Sequence, residues 1–483
     1  MPREITIQPV TRIEGHAKIT IQLDDAGEVD DARFHVTQFR GFEKFTEGRP
    51  FYEMPSITAR ICGICPVSHM LASGKACDDL LAVRIPASAD KLRRLLNYAQ
   101  LVQSHALSFF HLSAPDLLMG MDADPSVRNV LGLAGADPEA ARNGIRLRRY
   151  GQKIIEELAG KRIHPSWVVA GGVNEPLDPD DRERMLEELP EAMEIARGAV
   201  EIFKRIRDNF EEEINSFANF PTRFMGLVQE DGTMEHYDGL LRMHDADGNP
   251  VTEDFDPSHY EDHIGEAVEP WTYLKFPYHK ACGYPDGIYR VGPLARVNIC
   301  DRCGTPKADA ELEEFRQLSD GPVQSSFFYH YARLIEIIHG LERIEELLYE
   351  PDIMDQKVRA RAEANATEGV GVSEAPRGTL IHHYRIDDQD RIQWVNFIIA
   401  TGHNNLAMNR GVEQVAREFV SGREEIPEGM LNRVEAVIRA FDPCLSCSTH
   451  AIGQMPFHIQ LVDPDGETID ELCRDQQRCA ANR

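Results

Sequence analysis

The sequence predicts a mainly α-helical protein with small antiparallel β appendages, an α+β fold. Several long stretches carry apolar residues at positions i, i+3 and i+4, the period of a helix with one buried face. Shorter stretches near the N-terminus alternate apolar and polar residues, the period of a half-buried strand. No internal repeat and no clean linker divides the 483 residues, so we expect one large domain.

Strands are predicted at the start of the chain and again late in it. Three alternating segments, with Asp24-Asp25-Ala26-Gly27 as a turn, indicate a small antiparallel sheet: residues 5–10, 16–23 and 28–36. Residues 378–400 indicate a hairpin that turns at 387–390. Residues 245–262, rich in Asp, Gly and Pro, indicate a surface excursion.

Helices are predicted wherever the apolar period is 3.6 residues. The predicted helices span residues 91–112, 140–158, 179–217, 323–348 and 430–440. The fourth is strongly apolar between Phe327 and Ile338, which is typical of a buried helix in a bundle.

The charge of the chain excludes some partners. Its formal net charge is −28, from 52 basic and 80 acidic residues. Nucleic acids and anionic membranes select clustered Lys and Arg, so neither is an expected partner. The N-terminus has no basic-then-apolar signal and no apolar run reaches 18 residues, so we expect a cytoplasmic protein. The ten cysteines then indicate metal ligands or reduced thiols rather than disulfides.

Two C-x-x-C pairs are the most informative feature of the sequence. Cys62 and Cys65 precede His69, and Cys444 and Cys447 precede His450. The pairs can share one metal only if the fold brings both ends of the chain together. Four thiolates suit structural zinc or a redox metal, and spacing alone leaves both possibilities open. A chain that is 42% hydrophobic, however, does not need zinc to stabilise it.

The residues around these pairs resemble the large subunit of [NiFe]-hydrogenases. The resemblance rests on five motifs in the same order and spacing: residues 11–16 (Thr-Arg-Ile-Glu-Gly-His), 40–43 (Arg-Gly-Phe-Glu), the first cysteine pair, 374–378 (Glu-Ala-Pro-Arg-Gly) and 442–444 (Asp-Pro-Cys). It runs from about residue 5 to the C-terminus. Residues 274–296 are most similar to the soluble, bidirectional, NAD-linked branch. The resemblance implies the helical-bundle fold of that subunit over residues 1–450.

The resemblance also implies a ligand set. Cys62 and Cys444 would be terminal ligands of nickel, while Cys65 and Cys447 would bridge nickel to an iron that carries cyanide and carbon monoxide. Thiolates suit this work because they are soft ligands and, when terminal, basic. Hydrogen would be split heterolytically, with the proton taken by a nearby base.

Further site residues follow from the same resemblance. Glu14, which would otherwise be a solvated turn residue, would be the first proton acceptor beyond a terminal thiolate. Pro376 stiffens the loop before Arg377, whose permanent charge suits electrostatic work over the metal. Asp116 and Asp442 would be the acidic residues that join Arg377 over the metal, a group called the canopy below. Asp442 could instead simply end a helix before Pro443.

Two histidines are implied in supporting roles. His69 would donate a hydrogen bond to a bridging thiolate, although a lone histidine near a cysteine is more often structural. His450 and Glu43 would bind magnesium or a similar hard ion together with water. The remaining candidates are interpreted as reduced structural thiols and packing histidines: Cys77, Cys282, Cys300, Cys303, His330, His339, His382 and His383.

Thirty-three residues follow His450, and they include an apolar strand, residues 457–462, and a turn at Pro464-Asp465-Gly466. The resemblance implies a precursor whose extension, residues 451–483, is removed by a dedicated maturation endopeptidase. We expect the extension to hold the C-terminal motif partly open. Hydrogen sensors of the family lack it, so its presence favours an enzyme.

Electrons must leave through another protein. The chain has no G-x-G-x-x-G motif, no phosphate-binding loop and no further cysteine set for an iron–sulfur cluster. The resemblance implies two partners: a small subunit that carries an iron–sulfur cluster, and a flavin and iron–sulfur diaphorase that reduces NAD or NADP. The alternatives are a hydrogen sensor, a structural zinc protein, or a quinone-interacting scaffold related to proton-pumping complexes, a group that loses the four cysteines.

Overall fold

The computed structural model describes residues 3–451, 458–462 and 468–473. Its helices are α1 Phe42–Thr46, α2 Met54–Thr58, α3 Pro66–Leu81, α4 Ala87–Leu107, α5 Ala114–Met119, α6 Val130–Ala136, α7 Pro138–Ala159, α8 Pro179–Ile206, α9 Glu211–Ser216, α10 Tyr260–His263, α11 Pro293–Ile299, α12 Pro306–Arg316, α13 Tyr329–Tyr349, α14 Ala400–His403, α15 Asn405–Phe419, α16 Glu428–Phe441 and α17 Leu445–Ser448. Its strands are β1 Arg3–Ile7, β2 Ala17–Leu23, β3 Val29–Val36, β4 Val168–Val169, β5 Gly172–Val173, β6 Arg223–Val228, β7 Leu240–His244, β8 Ile264–Ala267, β9 Phe276–His279, β10 Tyr289–Arg290, β11 Glu368–Ala375, β12 Gly378–Ile386, β13 Ile392–Ile398, β14 His458–Val462 and β15 Thr468–Cys473.

A bundle of long helices forms the body of the protein. Helix α4 packs along α7 and α13, and α8 packs against α7 and α13. Leu334, Ile337 and Leu341 of α13 are fully buried, as expected for a helix in the middle of a bundle. The predicted fold class, mainly α with small antiparallel sheets, is confirmed.

Three predicted helices differ from the observed ones, and the one predicted over 323–348 begins only at Tyr329. The helix predicted over 179–217 stops at Ile206, and α9 begins only at Glu211. Asp208 and Asn209 lie in this break, where their side chains compete with the backbone for hydrogen bonds. The helix predicted over 91–112 begins earlier, at Ala87, and changes after Leu107 into a π-helical turn, Ser108–Ser113.

The predicted N-terminal sheet is confirmed. Strands β1, β2 and β3 pair antiparallel in that order, with Ile5 opposite Ile21 and Ile19 opposite Phe34. Strand β1 ends at Ile7 rather than at residue 10, because Pro9 cannot donate a ladder hydrogen bond. Helix α15, which the apolar period did not predict, covers β3.

The predicted hairpin at 378–400 is part of a larger sheet. Strands β12 and β13 pair as expected, and β11 adds a third antiparallel strand on the other side of β12. Helix α3 lies on this sheet. A Cβ atom at Gly371 would stand 2.0 Å from the carbonyl oxygen of Ala72, and one at Gly369 would stand 2.4 Å from that of Ala76. Only glycine allows this close approach.

Two strands follow His450 within the described residues. Strands β14 and β15 pair antiparallel, in agreement with the apolar strand expected near 457–462. The turn expected at Pro464-Asp465-Gly466 lies outside the described residues. The excursion at 245–262 includes exposed turns and the short helix α10. Across the described ranges, the helices are all too short or too polar to cross a membrane.

Candidate metal centre

The two cysteine pairs meet in the interior. Cys444 Sγ lies 3.3 Å from Cys62 Sγ, 3.8 Å from Cys65 Sγ and 2.8 Å from Cys447 Sγ, and the Cys65 and Cys447 sulfurs are 3.3 Å apart. All four side chains are at most 4% exposed. Within the part of the chain that the structure describes, these four residues form the group of side chains able to hold a metal ion.

Helix ends hold each pair in place. Cys65 immediately precedes α3, whose first residue is Pro66, a residue that suits the first turn of a helix. The second pair follows α16, which ends at Phe441. Asp442 then adopts a left-handed conformation with φ 55°, which turns the chain towards the site. The backbone N–H of Cys444 donates to Thr401 Oγ1 at 2.9 Å.

The sulfur cluster fits a thiolate-bound metal. Four sulfurs placed tetrahedrally at about 2.3 Å from one ion lie about 3.8 Å apart, so a small outward movement admits a metal. Hydrogen bonds from Cys444, Cys447 and Cys65 hold the pKa of Cys62 well below its ordinary value. Burial raises the pKa of Cys444 and of Cys447. Metal binding would therefore release protons from Cys444 and Cys447.

Glu14 lies against the second cysteine pair. Its carboxylate accepts hydrogen bonds from the backbone N–H of Ser446, at 2.9 Å, and from the Ser446 hydroxyl. The backbones also touch, because the N–H of Leu445 donates to the Glu14 carbonyl at 3.2 Å. A Cβ atom at Gly15, where φ is +89°, would stand 2.6 Å from the Cβ of Leu445. Glycine thus lets the N-terminal segment reach the cysteines.

Arg377 occupies the tip of a tight hairpin. Ala375 and Gly378 are paired across β11 and β12, so Pro376 and Arg377 form a two-residue turn. Arg377 is 3% exposed and Pro376 is buried. Burial opposes the charge of Arg377. Asp442 and the thiolates of Cys444, Cys65 and Cys62 more than offset that effect and hold the Arg377 pKa above its ordinary value.

Asp442 and Arg377 form a buried pair. Arg377 Nε donates to the Asp442 carbonyl at 2.7 Å, and Nη2 donates to its carboxylate Oδ1 at 3.1 Å. Burial raises the pKa of Asp442, and the two buried cations Arg377 and Arg333 oppose this shift. Asp442 therefore ends a helix and also binds Arg377, and its role as an acid over a metal stays a prediction.

Asp116 binds side chains other than Arg377, and its place in the canopy stays a prediction. Its carboxylate accepts from Arg12, from Arg439 Nε at 2.9 Å and from Asn432 Nδ2 at 3.1 Å. These donors use both of its oxygens. The third contact of Arg377 is instead with Ser104, whose Oγ lies 3.4 Å from Nη1. Spacing within Ser113-Ala114-Pro115-Asp116 could not reveal this, because Ser104 lies three helical turns earlier.

His69 lies on α3 one turn after Cys65 and is 1% exposed. Burial lowers its pKa to about 4, although the negative charge of the Cys62 thiolate opposes the shift. Its Nδ1 is within hydrogen-bonding distance, 3.1 Å, of Nε2 of His382. The packing interpretation of His382 is therefore incomplete, since this residue contacts a predicted site residue.

Glu43 and His450 are in direct contact. His450 Nδ1 lies 2.9 Å from Glu43 Oε1, and the Glu43 N–H donates to the His450 carbonyl at 3.1 Å. Burial would raise the pKa of Glu43, but His450, Lys275 and the N–H of Phe397 lower it to about 2. Two adjacent ligands of an octahedral magnesium ion at about 2.1 Å would lie about 2.9 Å apart, so the pair fits such an ion.

One feature of this pair opposes a cation. The ammonium group of Lys275 lies 3.6 Å from the same Glu43 oxygen.

The pair of Glu43 and His450 is formed with the C-terminal extension present, and the four cysteines are already together. The expectation that the extension holds the motif partly open therefore does not match the structure.

Among the cysteines whose side chains are described, four are not part of the sulfur cluster. Cys77, Cys282, Cys300 and Cys303 are free thiols. A hydrogen bond with Cys300, together with burial, raises the pKa of Cys303, as expected for a protonated, structural pair. Sequence reasoning missed Ser446, Ser104 and Thr401, because serine and threonine are common and no motif spacing marks them.

Comparisons with known proteins agree with this site. The family model described as nickel-dependent hydrogenase matches residues 40–130 and 210–450, and a model described as HoxL-like matches residues 4–39. The beta subunit of the NAD-reducing hydrogenase HoxS from Cupriavidus necator is 44% identical, over 98% of this chain and 100% of that protein. An F420-non-reducing hydrogenase from Methanothermobacter thermautotrophicus has a subunit that is 41% identical, over 97% of this chain and 100% of that protein.

Solved structures show the same fold. An NAD+-reducing [NiFe]-hydrogenase in the H2-reduced state matches with a TM-score of 0.90 and 47% identity, over 93% of this chain and 99% of that chain. A [NiFeSe]-hydrogenase from Dm. baculatum, at 23% identity and a TM-score of 0.75, shares the fold. The fold and the four-thiol site thus define a metal-dependent oxidoreductase. The chain belongs to the nickel-dependent hydrogenase family, as a large, catalytic subunit.

Proposed function

We propose that this chain cleaves H2 reversibly and heterolytically at a nickel–iron centre held by Cys62, Cys65, Cys444 and Cys447. The observation that carries the proposal is the meeting of four buried thiols from opposite ends of the chain. Structural zinc would need the same four sulfurs but not a buried arginine beside them. Arg377 is such a residue, held by Asp442 and close enough for the thiolates to raise its pKa.

The residues around the centre have separate tasks. A nickel–iron centre, with cyanide and carbon monoxide on the iron, would supply the electrophile that polarises H2 and the acceptor of its two electrons. The thiolate of Cys444 or Cys62 takes the proton. Glu14, bound to Ser446 between Cys444 and Cys447, receives it next and passes it outward. Arg377 stays protonated and places a fixed positive charge beside the centre, which favours the charge separation that accompanies heterolytic cleavage of H2.

Electrons pass to other subunits in this proposal. An iron–sulfur small subunit takes them from the centre, and a flavin and iron–sulfur diaphorase uses them to reduce NAD or NADP. The similarity to a subunit of the NAD-reducing hydrogenase of Cupriavidus necator supports this assignment. Glu43 and His450 hold a magnesium ion beside the site.

Residues 451–483 are a maturation extension in this proposal, cut after His450 by an endopeptidase. The nickel-dependent hydrogenase model stops matching at residue 450. The curated Cupriavidus necator sequence aligns over 98% of this chain, whereas the solved NAD+-reducing enzyme aligns over 93% of it and 99% of its own length. The 7% of the 483 residues that the solved enzyme does not cover is about equal in length to the 33-residue segment after His450.

The function is tested with the purified multi-subunit complex. Under H2, we expect NAD+ or NADP+ to be reduced and deuterium to appear in the gas when the solvent is D2O. Exchange without nicotinamide reduction would overturn the diaphorase link alone. Very slow exchange without reduction would favour a hydrogen sensor, and no exchange at all would overturn hydrogen cleavage.

A further inference from the structure

A buried chain of polar side chains begins at His69 and runs away from the cysteines. His69 Nδ1 lies 3.1 Å from Nε2 of His382, and His382 Nδ1 lies 2.7 Å from the hydroxyl of Tyr384. The Tyr384 hydroxyl in turn donates to Ser73 Oγ at 2.9 Å. All four residues are at most 1% exposed. None of the last three has a part in the proposed cleavage of hydrogen.

The chain is built from two packed elements. His69 and Ser73 are four residues apart on α3, so they lie on one face of that helix. His382 and Tyr384 are two residues apart on β12, so they face the same side of the sheet. The hydrogen bonds alternate between helix and strand and thus connect α3 to the sheet across their interface.

This arrangement constrains His69 in two ways. The contact through Nδ1 fixes the rotation of the ring and leaves Nε2 as the nitrogen that can make a further contact. Complete burial favours the neutral imidazole, which carries a single N–H. The tautomer of His69 must therefore match that of His382, since two N–H groups or two lone pairs cannot face each other across 3.1 Å.

The direction of the hydrogen bonds decides what Nε2 offers. If Tyr384 donates to Ser73, it accepts from the Nδ1–H of His382, and His382 Nε2 then carries a lone pair that accepts from the Nδ1–H of His69. In that case Nε2 of His69 carries a lone pair and can accept from a thiol. In the reverse direction, Tyr384 donates to His382 Nδ1, and His382 Nε2–H donates to His69 Nδ1. Nε2 of His69 then carries the proton and can donate to a thiolate. The negative charge of metal-bound thiolates favours the second direction.

We propose that His382 is a positioning residue that fixes the ring orientation and tautomer of His69, with Tyr384 and Ser73 anchoring it. The inference rests on the proposed nickel–iron function. In the metal-loaded protein, His382 donates to His69 Nδ1, so that His69 Nε2–H donates to a bridging sulfur. That hydrogen bond withdraws electron density from the sulfur and, through it, from the iron.

The test is infrared spectroscopy of the purified complex, which detects the stretching bands of diatomic ligands on the iron. His382→Leu removes the donor, so the carbon monoxide band should move to lower wavenumber as the sulfur donates more density. Tyr384→Phe should give a smaller shift in the same direction. His382→Gln, whose amide N–H can still donate to Nδ1, should bring the band back towards the wild-type position.

Two matched controls are His383, on the opposite face of the same strand, and its partner Tyr260 on α10. His383 contacts the Tyr260 hydroxyl at 2.9 Å and Glu368 at 2.7 Å, both away from the cysteines. His383→Leu and Tyr260→Phe should therefore leave the bands in place. Unshifted bands in His382→Leu and Tyr384→Phe would overturn this inference alone. Wild-type complex with no such bands would overturn the nickel–iron function, and this inference with it.

Discussion

Arg377 binds Asp442 through both the carbonyl and the carboxylate of that residue, with Nε at 2.7 Å and Nη2 at 3.1 Å. The contact joins the tip of the β11–β12 hairpin to the end of α16, two elements about 65 residues apart in the sequence. It therefore fixes the guanidinium beside the second cysteine pair. A planar fork can make both bonds at once, which a single ammonium group cannot.

Replacing Arg377 by lysine tests this geometry. Arg377→Lys keeps the charge but loses the fork, so we expect hydrogen turnover to fall by about 100-fold, the scale of losing one preorganised electrostatic group. Nickel content should stay unchanged, because no ligand is removed. Hydrogen uptake and metal analysis on the same preparation check both expectations.

Arg385→Lys is the matched control. Arg385 lies on the same strand, β12, but is exposed and bound to Glu368, so its substitution should leave turnover unchanged. Wild-type turnover in Arg377→Lys would contradict the electrostatic role.

Glu14→Gln tests the proton route. The amide keeps the shape of the acid and can still accept from the Ser446 N–H, but it cannot relay a proton. We expect full metal content and a hydrogen–deuterium exchange rate lower by about 100-fold or more. Glu4→Gln, an exposed glutamate on β1, should behave as wild type. An unchanged exchange rate in Glu14→Gln would show that the proton leaves by another path.

The buried pair Glu235 and Arg94 predicts a pH dependence of stability. Burial raises the pKa of Glu235, but Arg94 and the N–H groups of Tyr237 and His236 outweigh it and lower the pKa to about 2. Because the pKa of Glu235 is lower in the folded state than in the unfolded state, its charge stabilises the fold at pH values above the unfolded-state pKa. This stabilisation is lost as the pH falls towards 2. The full effect, about 3 kcal/mol as an upper estimate, is present at neutral pH.

Chemical unfolding of Glu235→Gln and the wild type measures this. The difference in unfolding free energy should be large at pH 7 and should narrow steadily below about pH 4.5. Glu230→Gln, an exposed neighbour, should show little difference at either pH. A difference for Glu235→Gln that does not change with pH would contradict the assignment.

The extension makes a prediction about mass. If residues 451–483 are removed on maturation, the active complex contains a large subunit that ends at His450. Intact mass spectrometry should find the full chain minus the mass of these 33 residues. The full-length chain in a fully active preparation would mean that the extension belongs to the working protein.

The sequence predicts most of the fold because the amphipathic period is a local signal. It identified α13 and the β1–β3 sheet, whose apolar faces are regular. It missed α3, because buried polar residues such as Ser68, His69 and Ser73 interrupt the apolar period of that helix. It missed β11 as well, where Gly369 and Gly371 weaken the strand pattern while allowing α3 to approach.

The site is predictable to the extent that motifs carry it. The two cysteine pairs could be assigned to one site from the sequence because their spacing is distinctive, and the structure places their sulfurs together. Ser104 was missed because this partner of Arg377 is set by packing across 273 residues of sequence. His382 was missed because its contact with His69 depends on how a helix lies on a sheet.

The central claim is that Cys62, Cys65, Cys444 and Cys447 hold nickel and iron. Metal analysis of the purified complex, and of its Cys444→Ala variant, tests it most directly. We predict about one nickel per large subunit, with one iron beyond the cluster iron, and loss of nickel in Cys444→Ala with helical content retained. Cys300→Ala, in a pair outside the site, should keep its nickel. One zinc per chain in place of nickel, or wild-type nickel in Cys444→Ala, would contradict the account.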